Sequence, residues 1–384
     1  MTFAPPRGRA ARTLGAAPAL VVFLLSGCRS VGPRPPEPGG ACAVAPSTAP
    51  AAPAIRERAI TLFGEIPGSQ AIPFESRPAG SLAQHTNCPE GADFDPAVDA
   101  SGRLLAFAST RHSPRPDIYT KPIGGAGITQ ITSDPASDIQ PEFSPDGGRI
   151  AFASDRAGNF DIWMIGADGQ GATQLTNDPA HEVHPTWAPD GQRIAYCMRN
   201  PKGGQWELWL LDLRQPGTRK FIGHGLYPRW SPVEDLIVYQ RARERGQRWF
   251  GIWTIRLVDN EPRFPTEIAA SATEAYILPT FSRDGKQIAF CAVRPEDGTG
   301  GASEIWTIDA GGGEPVRLTE GEASYSPAWG GDGRVYFAGR RGGAEAIWSV
   351  RPVRSVTASQ PGTPPPRLER TAFRDVGPPG GAGP

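Results

Sequence analysis

Six copies of one short pattern run through this chain: a proline, an aromatic two residues later, a tight Asp-Gly-type turn, then a short apolar strand. They read Pro96-Ala-Val-Asp-Ala-Ser-Gly102, Pro141-Glu-Phe-Ser-Pro-Asp-Gly147, Pro185-Thr-Trp-Ala-Pro-Asp-Gly191, Pro228-Arg-Trp-Ser-Pro-Val-Glu234, Pro279-Thr-Phe-Ser-Arg-Asp-Gly285 and Pro327-Ala-Trp-Gly-Gly-Asp-Gly333. Successive prolines are 45, 44, 43, 51 and 48 residues apart. A strand-built period of this length specifies a radial or solenoid architecture. One such unit cannot bury its own faces, so the copies must stack.

The second copy shows the content of one unit. Phe143 opens the first strand, and Asp146-Gly147 is a strong hairpin signal because the turn needs positive φ. Arg149-Ile150-Ala151-Phe152-Ala153 reads as a second strand, Phe160-Asp161-Ile162-Trp163-Met164-Ile165 as a third and Ala172-Thr173-Gln174-Leu175-Thr176 as a fourth. Four short strands joined by tight turns make a propeller blade, so the fold class is all-β, a six-bladed propeller of four-stranded antiparallel blades. The third strand recurs around Tyr119, Trp163, Trp209, Trp253, Trp306 and Trp348. Trp187, Trp230 and Trp329 mark the first strand. These eight tryptophans are expected to be core. Four residues after each second-strand aromatic stands Arg111, Arg156, Asn200, Arg243, Arg294 or Arg341. An element repeated once per blade serves the blade, here by bonding a neighbouring carbonyl or carboxylate.

The pattern Pro-x-(Trp/Phe)-Ser-Pro-Asp-Gly-x-x-Ile-Ala-(Phe/Tyr), followed by Asp-Ile-Trp and Gln-Leu-Thr, resembles the TolB-like, WD-repeat-like propeller family over about residues 90–352. The resemblance implies a six-bladed ring that acts as a scaffold linking envelope proteins. The first copy departs from it with Val98 for the aromatic, and the fourth with Val233-Glu234-Asp235 for Asp-Gly. The sixth unit lacks an evident fourth strand. Residues 60–63 or 81–86 could supply it from the other end of the chain. The second is preferred because it resembles the Gln-Leu-Thr strand, and this closure removes the open edge.

The termini read differently. Arg7, Arg9 and Arg12 precede an apolar run over 14–25, a secretory signal pattern too short for a comfortable membrane span. The run ends Leu25-Ser26-Gly27-Cys28, which resembles a bacterial lipobox and implies lipidation of Cys28. Arg29 in place of Asp points to the outer membrane, facing the periplasm. The expected organisation is a signal peptide over 1–27, a flexible Pro/Ala-rich tether over 28–55, the propeller with its closing strand over 56–353 and a disordered Pro/Gly-rich tail over 354–384. At ~3.1 Å per extended residue the tether could hold the ring roughly 75 Å from the membrane. TolB itself is not lipidated in its family and carries a folded domain before its ring. A relative of TolB is therefore expected here.

Net charge is −1, with no basic footprint for nucleic acid. Cys197 and Cys291 fall at buried second-strand positions of blades 3 and 5, too far apart to bridge. Cys42 and Cys88 could pair in an oxidising compartment. No Gly-x-Ser-x-Gly elbow or P-loop occurs, and no cofactor is expected. His181-Glu182-Val183-His184, with His224 in the next unit, is the one metal-like group. Its spacing is not the helical zinc pattern. With Asp95 and Asp138 these histidines could ring the channel mouth. Connections between blades and loops joining strands two and three share one face. That face should carry Tyr227, Trp206, Trp249, Phe250, Arg245 and Arg248, and aromatics with arginine are what interfaces favour. The functional expectation is a monomeric, non-enzymatic lipoprotein binding an envelope protein or cell-wall component. The alternatives are a channel-mouth metal-dependent glycan lyase or hydrolase, and a small-ligand sensor.

Overall fold

Five turns between first and second strands hold Gly102, Gly147, Gly191, Gly285 and Gly333 at φ of 65–75°, a region only glycine enters without strain. The fourth copy makes the same turn without glycine, closed by the Ser231 N–H on the Leu236 carbonyl at 2.7 Å. The structure, a computed structural model, describes residues 81–215, 217–242, 250–294 and 303–352. Within them lie 24 strands in six four-stranded antiparallel sheets and no helix. This is the expected all-β, six-bladed propeller.

The innermost strands are Asp93–Val98, Asp138–Phe143, Glu182–Trp187, Leu226–Trp230, Ala275–Phe281 and Ser324–Trp329, one for each of blades 1 to 6. Second-strand aromatics Phe107, Phe152, Tyr196, Tyr239, Phe290 and Phe337 are buried between blades. The first-strand tryptophans are buried too, whereas the third-strand tryptophans are half-buried. Guanidinium groups cover several of the latter: Arg156 lies 4.6 Å over Trp163 and Arg341 5.1 Å over Trp348.

Blade 6 takes its fourth strand from the N-terminal side. Ala83–Gln84 pairs antiparallel with Ser349 and Trp348 of Ala344–Val350. Thr86 then accepts the Ile347 N–H at 3.0 Å, as Thr132, Thr176 and Thr319 accept the N–H groups of Ile118, Ile162 and Ile305 in blades 1, 2 and 5. The preferred closing segment is therefore the one used, and residues 60–63 lie outside the described residues.

The recurrent arginines serve the blades. Arg111 pairs with Asp93 at 2.8 Å, Arg156 with Asp138 at 2.8 Å and Arg294 with Glu274 at 2.5 Å. Arg341 donates to the Ser324 hydroxyl at 2.9 Å. In the third copy Asn200 donates to Glu207 at 2.6 Å. Arg243 lies outside the described residues. Cys197 and Cys291 are fully buried free thiols, both pushed up by burial, Cys291 to about 12. Cys88 is also buried. Cys28 and Cys42 lie outside the described residues.

Candidate functional site

The residue before each repeat proline does what its local preferences oppose. Pre-proline residues favour extended backbone, yet Asp95, Gln140, His184, Tyr227, Leu278 and Ser326 all sit at φ of 49–57°. Each costs of the order of 1–3 kcal/mol. The cause is a β-bulge in every first strand, where pairing with the second strand slips between Phe94/Ala97, Ile139/Glu142, Val183/Thr186, Leu226/Arg229, Ile277/Thr280 and Tyr325/Ala328. Bulges re-aim side chains. Here they turn one side chain per blade towards the axis.

Contacts then run around the axis. The Ser326 hydroxyl donates to Asp95 at 3.0 Å, and Asp95 also accepts the Gln140 N–H. Gln140 accepts the His184 N–H on Oε1 at 2.9 Å and donates from Nε2 to His184 Nε2 at 2.7 Å. The His184 and Tyr227 rings lie 3.8 Å apart by centroid. Burial holds His184 well below its ordinary 6.5, with Arg229 acting in the same direction. Burial raises the Asp95 carboxyl and the Tyr227 hydroxyl.

The three histidines are not one cluster. His184 is buried on the axis, while His181 is exposed on the connection before its strand and His224 is exposed at the end of the outer strand Arg219–His224, opposite Glu207. His181 Nδ1 accepts the Phe160 N–H at 3.3 Å, and His224 stacks edge-on against Phe221 at 5.1 Å. Asp138 is not at the channel mouth; it is buried under Arg156. Among the described residues no group of three His, Cys, Asp or Glu side chains is placed to hold a metal ion.

The end of the ring that carries the 199–206 loop has its own relief. Trp206 opens the strand Trp206–Asp212, opposite Arg199, and its carbonyl accepts the Gly225 N–H at 3.1 Å. Trp206 and Phe250 are half-buried against the main core, and Tyr227 reaches the axis instead of the rim. Arg245, Arg248 and Trp249 lie outside the described residues. Beside Trp206, blade 3 opens a groove of about 500 Å³ between Lys202, Trp209, Phe221 and His224. Phe221 is 41% exposed, with its ring edge-on to Trp209 at 5.8 Å. It stands opposite Trp209 where Gln130 and Gln174 face Tyr119 and Trp163 in blades 1 and 2. An aromatic in the glutamine place of the fourth strand is the sequence signal that marks this groove.

A ring of six four-stranded antiparallel sheets, with its innermost strands gathered around one axis, defines a six-bladed β-propeller. The family profile described as the TolB beta propeller domain matches residues 79–272, half of the chain. The chain belongs to this family. Over 45 residues it is 44% identical to the Tol-Pal system protein TolB of Bordetella pertussis and to that of Bordetella bronchiseptica. That segment is 12% of this chain and 10% of either relative. Among solved structures, a protein assigned as TolB from Agrobacterium tumefaciens is similar at TM-score 0.53 and 20% identity, covering 68% of this chain and 91% of its own. An oligogalacturonate lyase from Vibrio parahaemolyticus is similar at TM-score 0.51 and 9% identity, covering 72% and 94%. At these identities the likeness is one of fold alone.

Proposed function

We propose that this chain is a non-enzymatic envelope lipoprotein whose propeller binds another envelope protein through the face of blades 3 and 4. The observation that carries this reading is the blade 3 groove. It presents an exposed Phe221 beside Trp209 and His224, with Lys202 at its edge. Aromatic anchors with a flanking cation are the residue types that dominate interface energetics. Membership of the TolB propeller family supports a scaffold role, and Trp249, Arg245 and Arg248 extend the proposed face by sequence position. The test is chemical crosslinking in the native envelope. Phe221→Ala with Lys202→Glu should cut captured partner at least about tenfold. Thermal unfolding should stay nearly unchanged, since both side chains lie at the surface. Undiminished capture overturns the reading.

The anchor is a separate part of the proposal. Leu25-Ser26-Gly27-Cys28 supports lipidation of Cys28, with the ring held on the periplasmic side of the outer membrane. Cys28→Ser should move the protein from the membrane to the soluble fraction. If fractionation is unchanged, the anchor is refuted while the binding face stands.

A further inference from the structure

Along the first strands, past the axial residues and towards the Asp-Gly turns, the channel widens into a cavity of about 310 Å³. That is the low end of the range for small-ligand sites, about 300–1,000 Å³. Its walls are about half polar and half apolar, and the apolar half includes Trp187, Trp230, Trp329, Phe143 and Phe281 from five different blades. Its charged side chains are Glu142, Arg229 and Arg283.

Two of those charges cancel. Glu142 Oε2 is paired with Arg229, while its Oε1 accepts the Thr186 hydroxyl at 2.9 Å and the Trp187 N–H at 3.3 Å. Arg283 is different. Blades 2, 3 and 4 carry Pro145, Pro189 and Pro232 at this place of the turn, and blade 5 carries an arginine. Its guanidinium spans the channel to blade 1, where Nη2 donates to the Val98 carbonyl and, at 3.0 Å, to that of Asp99. Blade 6 lies between, and its matching turn is Gly330-Gly331, without side chains. The Arg283 Nε–H is buried and has no partner. Among the described residues no carboxylate pairs with this cation. Burial lowers its affinity for its proton, against the weaker pull of Glu142 and Asp99. Asp95, further along the axis, is already bonded by Ser326 and Gln140.

A buried guanidinium with a free donor and no paired carboxylate is costly unless something completes it. The cavity lining holds two guanidinium groups against one carboxylate, a balance that suits a monoanion over a phosphate dianion. We propose that this cavity binds a carboxylate carried on a small apolar group, with Arg283 as the anchoring cation. Charge-assisted bonds to a carboxylate would use the unpartnered donor, and the aromatic walls would hold the apolar part. The site is distinct from the blade 3 groove, and neither reading depends on the other.

The purified full chain can be titrated by calorimetry, and by the fluorescence of Trp187, Trp230 and Trp329, which line the cavity. The probes are N-acetyl-leucine, its amide, valerate, a tetrapeptide ending in free leucine, and inorganic phosphate. Saturable binding of a carboxylate probe, at least about tenfold tighter than the amide and absent for phosphate, is expected. Binding of valerate and N-acetyl-leucine alone identifies a small acid as the ligand, and binding of the tetrapeptide identifies a chain terminus. Arg283→Met should abolish the preference for acid over amide. Ala328→Leu, which fills the cavity from blade 6 and leaves Arg283 in place, should weaken every probe and covers the case in which Arg283→Met does not fold. No saturable binding, equal binding of acid and amide, or unchanged binding in either folded variant overturns the proposal.

Discussion

Arg156→Met is expected to cost about 3–5 kcal/mol of folding stability, the loss that follows when one partner of a buried ion pair is removed. Asp138 is fully buried, and the Arg156 Nη2 donates to both its oxygens, at 3.0 and 2.8 Å. The same guanidinium pairs with Asp134 at 2.6 Å and donates from Nε to the Ser154 hydroxyl at 2.8 Å. It therefore ties the connection from blade 1 to two strands of blade 2. Methionine keeps the apolar stem that covers Trp163 and leaves the carboxylate without its cation. Burial already raises the Asp138 carboxyl, and losing Arg156 raises it further. The folded variant then holds a proton that the unfolded chain releases. Its deficit should shrink as pH falls from neutrality towards the ordinary carboxylate range. Urea unfolding at pH 7 and pH 5 measures both effects, and Asp138→Asn in the same background should restore part of the loss. A change under about 1 kcal/mol would place this arginine among ordinary surface pairs.

His184 should make the protein acid-sensitive in a way that His184→Gln removes. Gln140 accepts the His184 N–H on its oxygen, so its amide nitrogen must be the donor to His184 Nε2. That bond holds the neutral ring with its proton on Nδ1. Protonation would set two donors face to face and add a charge near Arg229. The folded pKa lies well below 6.5. The unfolded chain therefore binds this proton first, so the stability contribution is complete above pH 6.5 and is lost as pH falls below it. Relative to His184→Gln, wild type should lose up to about 1.4 kcal/mol per pH unit below 6.5. Burial pushes Asp117 and Asp161 up to about 6 and Glu182 to about 7, the last despite Arg219 at 3.3 Å, which is shared with Asp178. Those acids shape both profiles alike and cancel in the difference. Thermal unfolding from pH 8 to pH 5 gives the comparison. Parallel curves would refute the buried neutral histidine.

Much of the architecture was legible because it repeats. Glycine in the turn, aromatics at fixed strand positions and an arginine four residues on are each local signals, and six copies average out the noise of any one. Among the described residues the arginines serve the blades, since Arg111, Arg156, Arg294 and Arg341 each find an acid or hydroxyl within their own repeat or on the connection before it. The axial residues were less legible. Nothing in a pre-proline Asp, Gln, His, Tyr, Leu or Ser suggests positive φ, and local preference argues against it. His181 and His184 look like one group in sequence, yet the bulge sends one to the axis and leaves the other on the surface. Phe221 was missed because its exposure depends on Trp209 across the sheet.

The sequence alone determined the number of blades, the four-strand plan of a blade and the turn positions. These follow from short-range periodicity and from the rule that a blade must cover its faces. It left two segments as candidates to close the ring, and the pairing of Ala83–Gln84 with blade 6 decided between them. The tertiary structure decided which residues meet at the centre. Arg283 reaches Val98 and Asp99 from blade 5, and Arg229 reaches Glu142 from blade 4. These pairs are separated by 185, 184 and 87 positions. Ring closure brings them together, and no local preference encodes that meeting.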